Sequence, residues 1–185
     1  MKKIILSLAL LTSLTSSLCA QEEHTSKSGF YIATKALMTL GDKVKHGDAT
    51  LDGSTGYGIG IDFGYKIGKG FAVEVDATYV ENDVTEKNEH GHEITVTGSY
   101  ITTSLDLVYA YPLTHELEIF IKGGYEYEIE KISDLDIDTS DTGFIYALGL
   151  EYELNEDLSL LGEYEATTIE GPRGNSIFAG VVYHF

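Results

Sequence analysis

The chain has 185 residues, of which 30 are acidic and 12 are basic, giving a formal net charge of −18. We do not expect so acidic a chain to bind nucleic acid or anionic lipid through a general electrostatic field. The hydrophobic share of 43%, with 13 Tyr and 7 Phe, argues against intrinsic disorder, and the length fits one domain.

The first twenty residues have the layout of a secretory signal peptide, because a basic start and a short apolar run lead to small residues. We therefore predict cleavage after Ala20. Cys19 could instead carry the acyl group of a lipoprotein, but Leu18 before it is larger than such cleavage sites prefer. The predicted organisation is a signal peptide (1–20), a polar leader (21–28) and one barrel domain (29–185).

After the leader, apolar and polar residues alternate in eight runs, at residues 29–40, 56–67, 71–79, 100–111, 117–128, 144–153, 158–167 and 176–185. Successive side chains of a strand point to opposite faces, so each run predicts a strand with one bulky face and one smaller, more polar face. No apolar run after residue 20 is long enough for a membrane-spanning helix, so any crossing must use strands. Runs of about ten residues have the length that a tilted spanning strand needs.

The connections between these runs alternate in length. Tight turns are predicted at 66–70, 112–116 and 155–157, long acidic links at 41–55, 81–93 and 130–141, and an acidic link of intermediate length at 170–175. Outer-membrane barrels have short periplasmic turns and longer external loops. The pattern therefore predicts an all-β fold, an eight-stranded antiparallel up-and-down transmembrane β-barrel, with the turns and both termini in the periplasm.

Alternation alone does not distinguish a membrane barrel from a soluble barrel whose apolar face points inward. The position of the aromatic residues does, because those of the bulky face gather near the two ends of the strands. At the tight-turn end they are Phe30, Tyr65, Phe71, Tyr109, Tyr111, Tyr152, Tyr183 and Phe185, and at the other end Tyr57, Tyr79, Tyr125, Tyr127, Phe144, Tyr146 and Tyr164. Two aromatic girdles around an aliphatic band are typical of a lipid-facing surface.

The last run places five apolar side chains in phase, Ile177, Ala179, Val181, Tyr183 and Phe185. With this ending, residues 29–185 resemble the small eight-stranded outer-membrane barrels of Gram-negative bacteria. That group includes opacity-type surface proteins and the membrane domain of outer-membrane protein A. The resemblance implies that the five residues form the signal that the barrel-assembly machinery recognises.

The opposite face, predicted to line the lumen, is rich in charge. Its charged residues are Lys35, Asp62, Lys66, Glu74, Asp76, Asp106, Glu118, Lys122, Glu126, Glu128, Glu151, Glu153, Glu163 and Glu165. Rings of carboxylates favour cations, which would suit a cation-preferring path. Alternatively the lysines bridge carboxylates and plug the interior, and the narrow bore of eight strands favours this plug.

Two stretches of the links could hold a metal weakly. His90 and His92 have a His-x-His spacing, which lacks the fuller ligand set of a structural site. Asp134, Asp136 and Asp138 resemble the start of a calcium loop. However, Thr139 and Ile145 occupy the positions where an EF-hand needs Gly and Glu, so a solvated loop is the simpler interpretation.

No catalytic arrangement is evident in the sequence, because His115 and His184 have no recognisable Ser–Asp partners. We expect neither enzymatic activity nor a cofactor. The favoured function is a monomeric surface protein whose acidic loops contact cations, lipopolysaccharide or a host surface within the outer membrane. The alternative is a small porin-like channel with cation preference.

Overall fold

The computed structural model describes residues 29–47, 49–87 and 93–185. Their strands are β1 (Gly29–Thr39), β2 (Lys43–His46), β3 (Ala49–Gly53), β4 (Gly56–Gly68), β5 (Phe71–Lys87), β6 (Glu93–Pro112), β7 (Leu117–Ile132), β8 (Ile137–Asn155), β9 (Leu158–Thr167) and β10 (Ser176–His184). A single 3-10 turn, Ser133–Leu135, joins β7 to β8. Among these residues, no helix has the length and apolar character needed to cross a membrane. The predicted signal peptide, the polar leader and the His90–His92 pair lie outside the described residues.

Eight of the strands close into an antiparallel barrel. The hydrogen-bonded order is β5-β4-β1-β10-β9-β8-β7-β6, and pairing of β6 with β5 completes the ring. The first and last strands of the barrel meet directly, with Ile32 opposite Tyr183 and Ala36 opposite Ala179. The predicted eight-stranded up-and-down topology is therefore confirmed. We name the two ends of the barrel by their connections, the short-turn end and the long-link end.

The bulky face of the barrel points outward, as predicted. Tyr57 and Ile59 of β4 are 71% and 68% exposed, and the same face of every other barrel strand is exposed as well. Soluble monomers rarely expose contiguous apolar patches beyond a few hundred Å². A continuous apolar belt around the barrel therefore excludes the soluble barrel with an inward apolar face and fits a lipid-facing surface.

The links at the long-link end are more ordered than predicted. Residues 81–87 and 93 belong to β5 and β6, and residues 130–132 and 137–141 belong to β7 and β8, although both stretches were expected to be loops. The first link also forms a hairpin, β2–β3, whose second strand pairs with β5. We name this extension beyond the barrel the head.

The head has its own apolar core, formed by Leu51, Val84, Val96, Ile132 and Ile137. In the sequence each of these apolar residues lies among polar and charged ones, which is why loops were predicted for these stretches. Once β3, β5, β6, β7 and β8 come together, the few apolar side chains share one interior and the polar ones face outward. Burial of this small core stabilises the strand extensions.

Inside the barrel, apolar side chains line both ends of the lumen, with charged groups between them. One cluster at the short-turn end contains Tyr31, Ala33, Ala72, Val108, Phe120, Leu161 and Val182. A second contains Leu37, Val80, Tyr100 and Phe178. Gly64 makes room for the first, because a Cβ at this position would lie 2.0 Å from Cζ of Tyr31.

Candidate functional site

Lys35 is the first of two lysines that organise the centre of the lumen. Its Nζ lies 2.9 Å from Oδ1 of Asp62 and 2.7 Å from Oδ2 of Asp76, and all three residues are buried. The same ammonium lies 4.3 Å from the centroid of the Phe178 ring, within the range of a cation–π contact. Lys35 lies midway along β1, which is next to β4 in the ring. Its long side chain therefore reaches Asp62 on β4 and Asp76 on the following strand, β5.

Lys122 of β7 extends this network from the opposite wall. Its Nζ lies 2.5 Å from Oε2 of Glu74, 3.4 Å from Oε2 of Glu163 and 3.8 Å from Oδ2 of Asp62. Asp62 is therefore shared by both lysines. The Tyr31 hydroxyl donates a hydrogen bond to Oε1 of Glu74, which ties the apolar cluster at the short-turn end to the network.

Arg173 forms a second network nearer the long-link end. Its Nη2 lies 2.8 Å from Oε1 of Glu126 and its Nε lies 2.5 Å from Oε2 of Glu128. The residue is only 3% exposed. Burial by itself lowers the pKa of the guanidinium, but the carboxylates of Glu126 and Glu128 outweigh it, and the pKa of Arg173 lies above its ordinary value.

The link that carries Arg173 folds inward across the end of the barrel. The Pro172 carbonyl accepts hydrogen bonds from Nδ2 of Asn82 at 2.9 Å and from the amide of Asp42 at 3.3 Å, and the Arg173 carbonyl accepts one from Gly41 at 3.1 Å. Gly53 lies against this segment so closely that a Cβ there would be 1.8 Å from the Pro172 oxygen. We name residues 168–175 the cap.

The inward position of the cap corrects one prediction. Residues 170–175 were expected to form an acidic external loop, whereas residues 171–174 are buried. Sequence reasoning missed Arg173 because the alternation pattern covers strands only. A usable signal was present, since Arg173 is the one arginine of the sequence and guanidinium groups suit buried carboxylate pairs.

Most of the charged residues predicted for the lumen are buried there: Lys35, Asp62, Glu74, Asp76, Asp106, Lys122, Glu126, Glu128, Glu163 and Glu165. Lys66, Glu118 and Glu151 are partly exposed near the short-turn end, and Glu153 is exposed. Glu153 therefore differs from the prediction, because it lies at an irregularity in the β8–β9 pairing beside the turn, beyond the enclosed lumen. Asp106 has a hydrogen bond from the Ser104 hydroxyl at 2.7 Å.

A cavity of about 770 Å³ opens inside the short-turn end of the barrel. Ala33, Phe120, Leu161 and Val182 contribute to its apolar walls. The turns at 69–70 and 113–115 border it. The charged network around Lys122 lies at its inner side, so the cavity does not include the residues of the cap.

His184 has partners in the structure that the sequence did not reveal. Its Nε2 lies 3.2 Å from the Ser159 hydroxyl and 2.9 Å from Oε1 of Glu151. A serine–histidine–carboxylate triad needs the serine and the carboxylate on different ring nitrogens. Because both partners here contact the same nitrogen, this arrangement cannot relay a proton in that way.

The aspartates of the β7–β8 connection do not converge. Asp134 lies in the 3-10 turn, Asp136 ends it in a left-handed conformation with φ 56°, and Asp138 is 3.7 Å from Nζ of Lys131. Over residues 29–47, 49–87 and 93–185, no three His, Cys, Asp or Glu side chains are arranged to hold a metal ion. The structure thus gives no support to a calcium site here.

The five residues of the predicted assembly signal share the outer face of β10. Ile177, Val181 and Tyr183 are exposed, Ala179 lies in the same row, and Phe185 is 78% exposed. The Tyr183 and Phe185 rings pack edge to face with their centroids 5.0 Å apart. The Phe185 amide donates a hydrogen bond to the Phe30 carbonyl at 3.0 Å, which joins the end of the chain to β1.

Comparison with known proteins agrees with this architecture. The family model described as outer membrane protein beta-barrel domain matches residues 6–185. The outer membrane protein OprG from Pseudomonas aeruginosa superimposes with a TM-score of 0.69 at 16% identity, covering 86% of this chain and 97% of OprG. Neisserial surface protein A gives a TM-score of 0.64 at 17% identity, covering 88% and 100% of the two chains.

The Yersinia pestis outer membrane protein Ail is similar as well, with a TM-score of 0.53, 15% identity and coverage of 85% of this chain and 99% of Ail. No curated protein matches the sequence. At identities this low the shared property is the fold, and the match confirms the predicted resemblance to small outer-membrane barrels.

Proposed function

The chain belongs to the outer-membrane protein β-barrel family, and from that premise we propose that it is a sealed barrel that displays an acidic head at the bacterial surface. The observation that carries the proposal is the filling of the lumen by two buried ion-pair networks, around Lys35 with Lys122 and around Arg173. A continuous aqueous path would have to separate these pairs. Breaking buried pairs leaves uncompensated charge and is costly.

The cap and the head support the same proposal. Residues 171–174 are buried across the long-link end, where an open porin would have its entrance. The head above the barrel rim is a packed unit with its own apolar core. Such a unit holds its outer surface in one arrangement, which suits contact with a partner better than it suits passage of solutes.

The outer surface of the head is rich in exposed carboxylates, including Asp42, Asp83, Asp134, Asp138 and Asp141. We infer that the negative charge of this surface attracts divalent cations, without a formed coordination site among the described residues, and that the head contacts lipopolysaccharide phosphates or a host surface through them. The proposed orientation puts the head outside the cell and the short turns with both termini in the periplasm. The protein acts as a monomer whose outward row on β10 is recognised by the barrel-assembly machinery.

Conductance tests the sealed lumen. Purified protein reconstituted into planar bilayers is expected to give no stable current steps, while a general porin added afterwards to the same bilayer does. Flotation of proteoliposomes checks that the protein has inserted. Stable cation-selective steps would contradict the proposal and favour the porin-like alternative.

Cysteine labelling tests the orientation. Asp138→Cys places a thiol on the head, and Thr114→Cys places one in the short turn after β6 as the matched control. A membrane-impermeant maleimide is expected to label the first variant on intact cells and the second only after the outer membrane is permeabilised. The reverse pattern would show that the head faces the periplasm.

Binding to lipopolysaccharide tests the role of the head. In sedimentation with lipopolysaccharide aggregates, binding is expected with Mg²⁺ present and is expected to fall when EDTA removes it. A variant in which Asp134, Asp138 and Asp141 are all replaced by Asn should lose most of this Mg²⁺-dependent part. Binding that is unchanged by EDTA would argue against cation bridging.

A further inference from the structure

The cavity at the short-turn end has no part in the proposed surface role, yet it has the properties of a ligand site. Its volume of about 770 Å³ lies within the usual range of small-molecule pockets, roughly 300–1,000 Å³. Phe120, Leu161 and Val182 form apolar walls that could cover the body of a small molecule. Charged side chains lie at its mouth and along its inner wall.

Two carboxylates face each other at the mouth of this cavity. Glu118 of β7 is directly opposite Glu151 of β8, and both line the cavity. Like charges directly opposite each other on two strands are destabilising unless a cation lies between them. Glu151 contacts His184, whereas Glu118 has no hydrogen bond or ion pair with any residue that the structure describes.

A third carboxylate on the inner wall also has an unused acceptor. Glu163 is 4% exposed, and its Oε2 lies 3.4 Å from Nζ of Lys122, but its Oε1 has no hydrogen-bond partner among the described residues. The Glu163 side chain has no accessible surface, so its carboxylate adds negative potential at the inner wall without itself contacting a ligand. This negative potential favours a cation in the cavity.

The remaining charges around the cavity do not reverse this preference. Asp62 and Glu74 also line it, and they share Lys122, which lies behind the wall. Lys66 and Lys69 line it as well, and the Lys66 ammonium lies 5.9 Å from the centroid of the Tyr31 ring. His115 is a further titratable neighbour. Carboxylates still exceed ammonium groups, so the cavity favours a positive ligand.

We propose that this cavity binds a small organic cation with an apolar body, with its ammonium group between Glu118 and Glu151 and its body against Phe120 and Leu161. The proposal is independent of the surface role, because it concerns the opposite end of the barrel.

A charge series tests the chemistry of the site. Isothermal titration of the purified barrel in maltoside micelles uses 2-phenylethylammonium, neutral 2-phenylethanol and anionic 3-phenylpropionate, with protein-free micelles subtracted. The cation is expected to bind about tenfold or more tightly than the alcohol, the difference that one charge-assisted hydrogen bond provides. Equal binding of cation and alcohol, preference for the anion, or no binding would each overturn the proposal.

Variants locate the site. Glu118→Gln is expected to weaken binding of 2-phenylethylammonium by about tenfold while the barrel stays folded, because Glu118 has no hydrogen bond or ion pair among the described residues. Glu165→Gln is the matched control, since it removes a lumen carboxylate that does not line the cavity and should change binding less than about twofold. Heat-modifiable migration in gels verifies folding of both variants. Binding that is unaffected by Glu118→Gln would exclude this cavity as the site.

Discussion

Nε of Arg173 lies 2.5 Å from Oε2 of Glu128, and this ion pair fastens the cap across the long-link end of the barrel. The pair is buried, and Nη2 of the same guanidinium contacts Glu126 at 2.8 Å. One side chain from a connecting segment thereby pairs with two carboxylates of β7. Closure of this end thus depends on a residue that belongs to no strand.

Replacing Arg173 by Ala should destabilise the barrel by about 3–5 kcal/mol, because it leaves Glu126 and Glu128 buried without a counter-ion. The measurement is urea unfolding in lipid vesicles, followed by heat-modifiable migration. Lys43→Ala is the control, since it removes an exposed ion pair to Asp52 and should have a much smaller effect. Because the raised pKa of Arg173 keeps the guanidinium charged at all accessible pH values, this contribution should not fall as pH rises through the neutral range. A loss no larger than that of Lys43→Ala would show that the cap is held by other contacts.

Replacing Lys122 by Met should also be costly, by about 3–5 kcal/mol, since Glu74, Glu163 and Asp62 lose a shared cation. Combining it with Glu74→Gln should recover part of the loss, because one of the unpaired carboxylates disappears. A double-mutant cycle on unfolding free energies measures this coupling. Strict additivity of the two changes would argue against the network.

Gly53→Ala should displace the cap, because the new methyl group would meet the backbone of Pro172. Overpacking of this kind costs about 1–3 kcal/mol, and it should make the segment at 168–175 easier to cleave by protease. Gly162→Ala is the control, since nothing lies within 4 Å of a Cβ there. If both variants resist protease equally, the close packing of the cap against β3 is not maintained in the membrane.

Leu148→Arg tests which medium the outer face meets. Leu148 is 54% exposed and lies midway along β8 between the aromatic residues Tyr146 and Tyr152. An arginine near the middle of a lipid-facing band costs about 2–4 kcal/mol. Ser140→Arg on the head portion of the same strand should be nearly neutral. Unfolding in vesicles distinguishes them, and equal effects would contradict a lipid-facing position for Leu148.

Phe185→Ala should lower the amount of assembled barrel in cells if the outward row of β10 is the assembly signal. The expected reason is weaker recognition, since the ring is 78% exposed and its contact with the Tyr183 ring lies on the barrel surface. Phe30→Ala provides the control, because this neighbouring ring is also exposed at the short-turn end. Quantification of heat-modifiable protein in outer membranes measures assembly. Equal loss in both variants would point to lipid anchoring instead of a recognition role.

Where prediction from sequence failed, the cause was long-range packing. The head was expected to be loops because apolar residues such as Val84 and Ile132 are sparse within each stretch. Their shared core forms only when five strands from distant parts of the chain meet. Glu153 was placed in the lumen by alternation, but an irregularity in pairing beside the turn leaves it exposed.

The sequence by itself determined the number of barrel strands, their order and the face that each turns outward. The number of strands and their outward faces follow from a repeat of two residues within each strand, and their order follows from the alternation of short and long connections. Only the tertiary structure decided which charges pair, as for Lys35 with Asp76, 41 residues apart. It also decided that Arg173 enters the barrel and that a cavity remains at the short-turn end. Such features depend on the register between strands and on side-chain volumes inside a closed ring, and no local pattern encodes either.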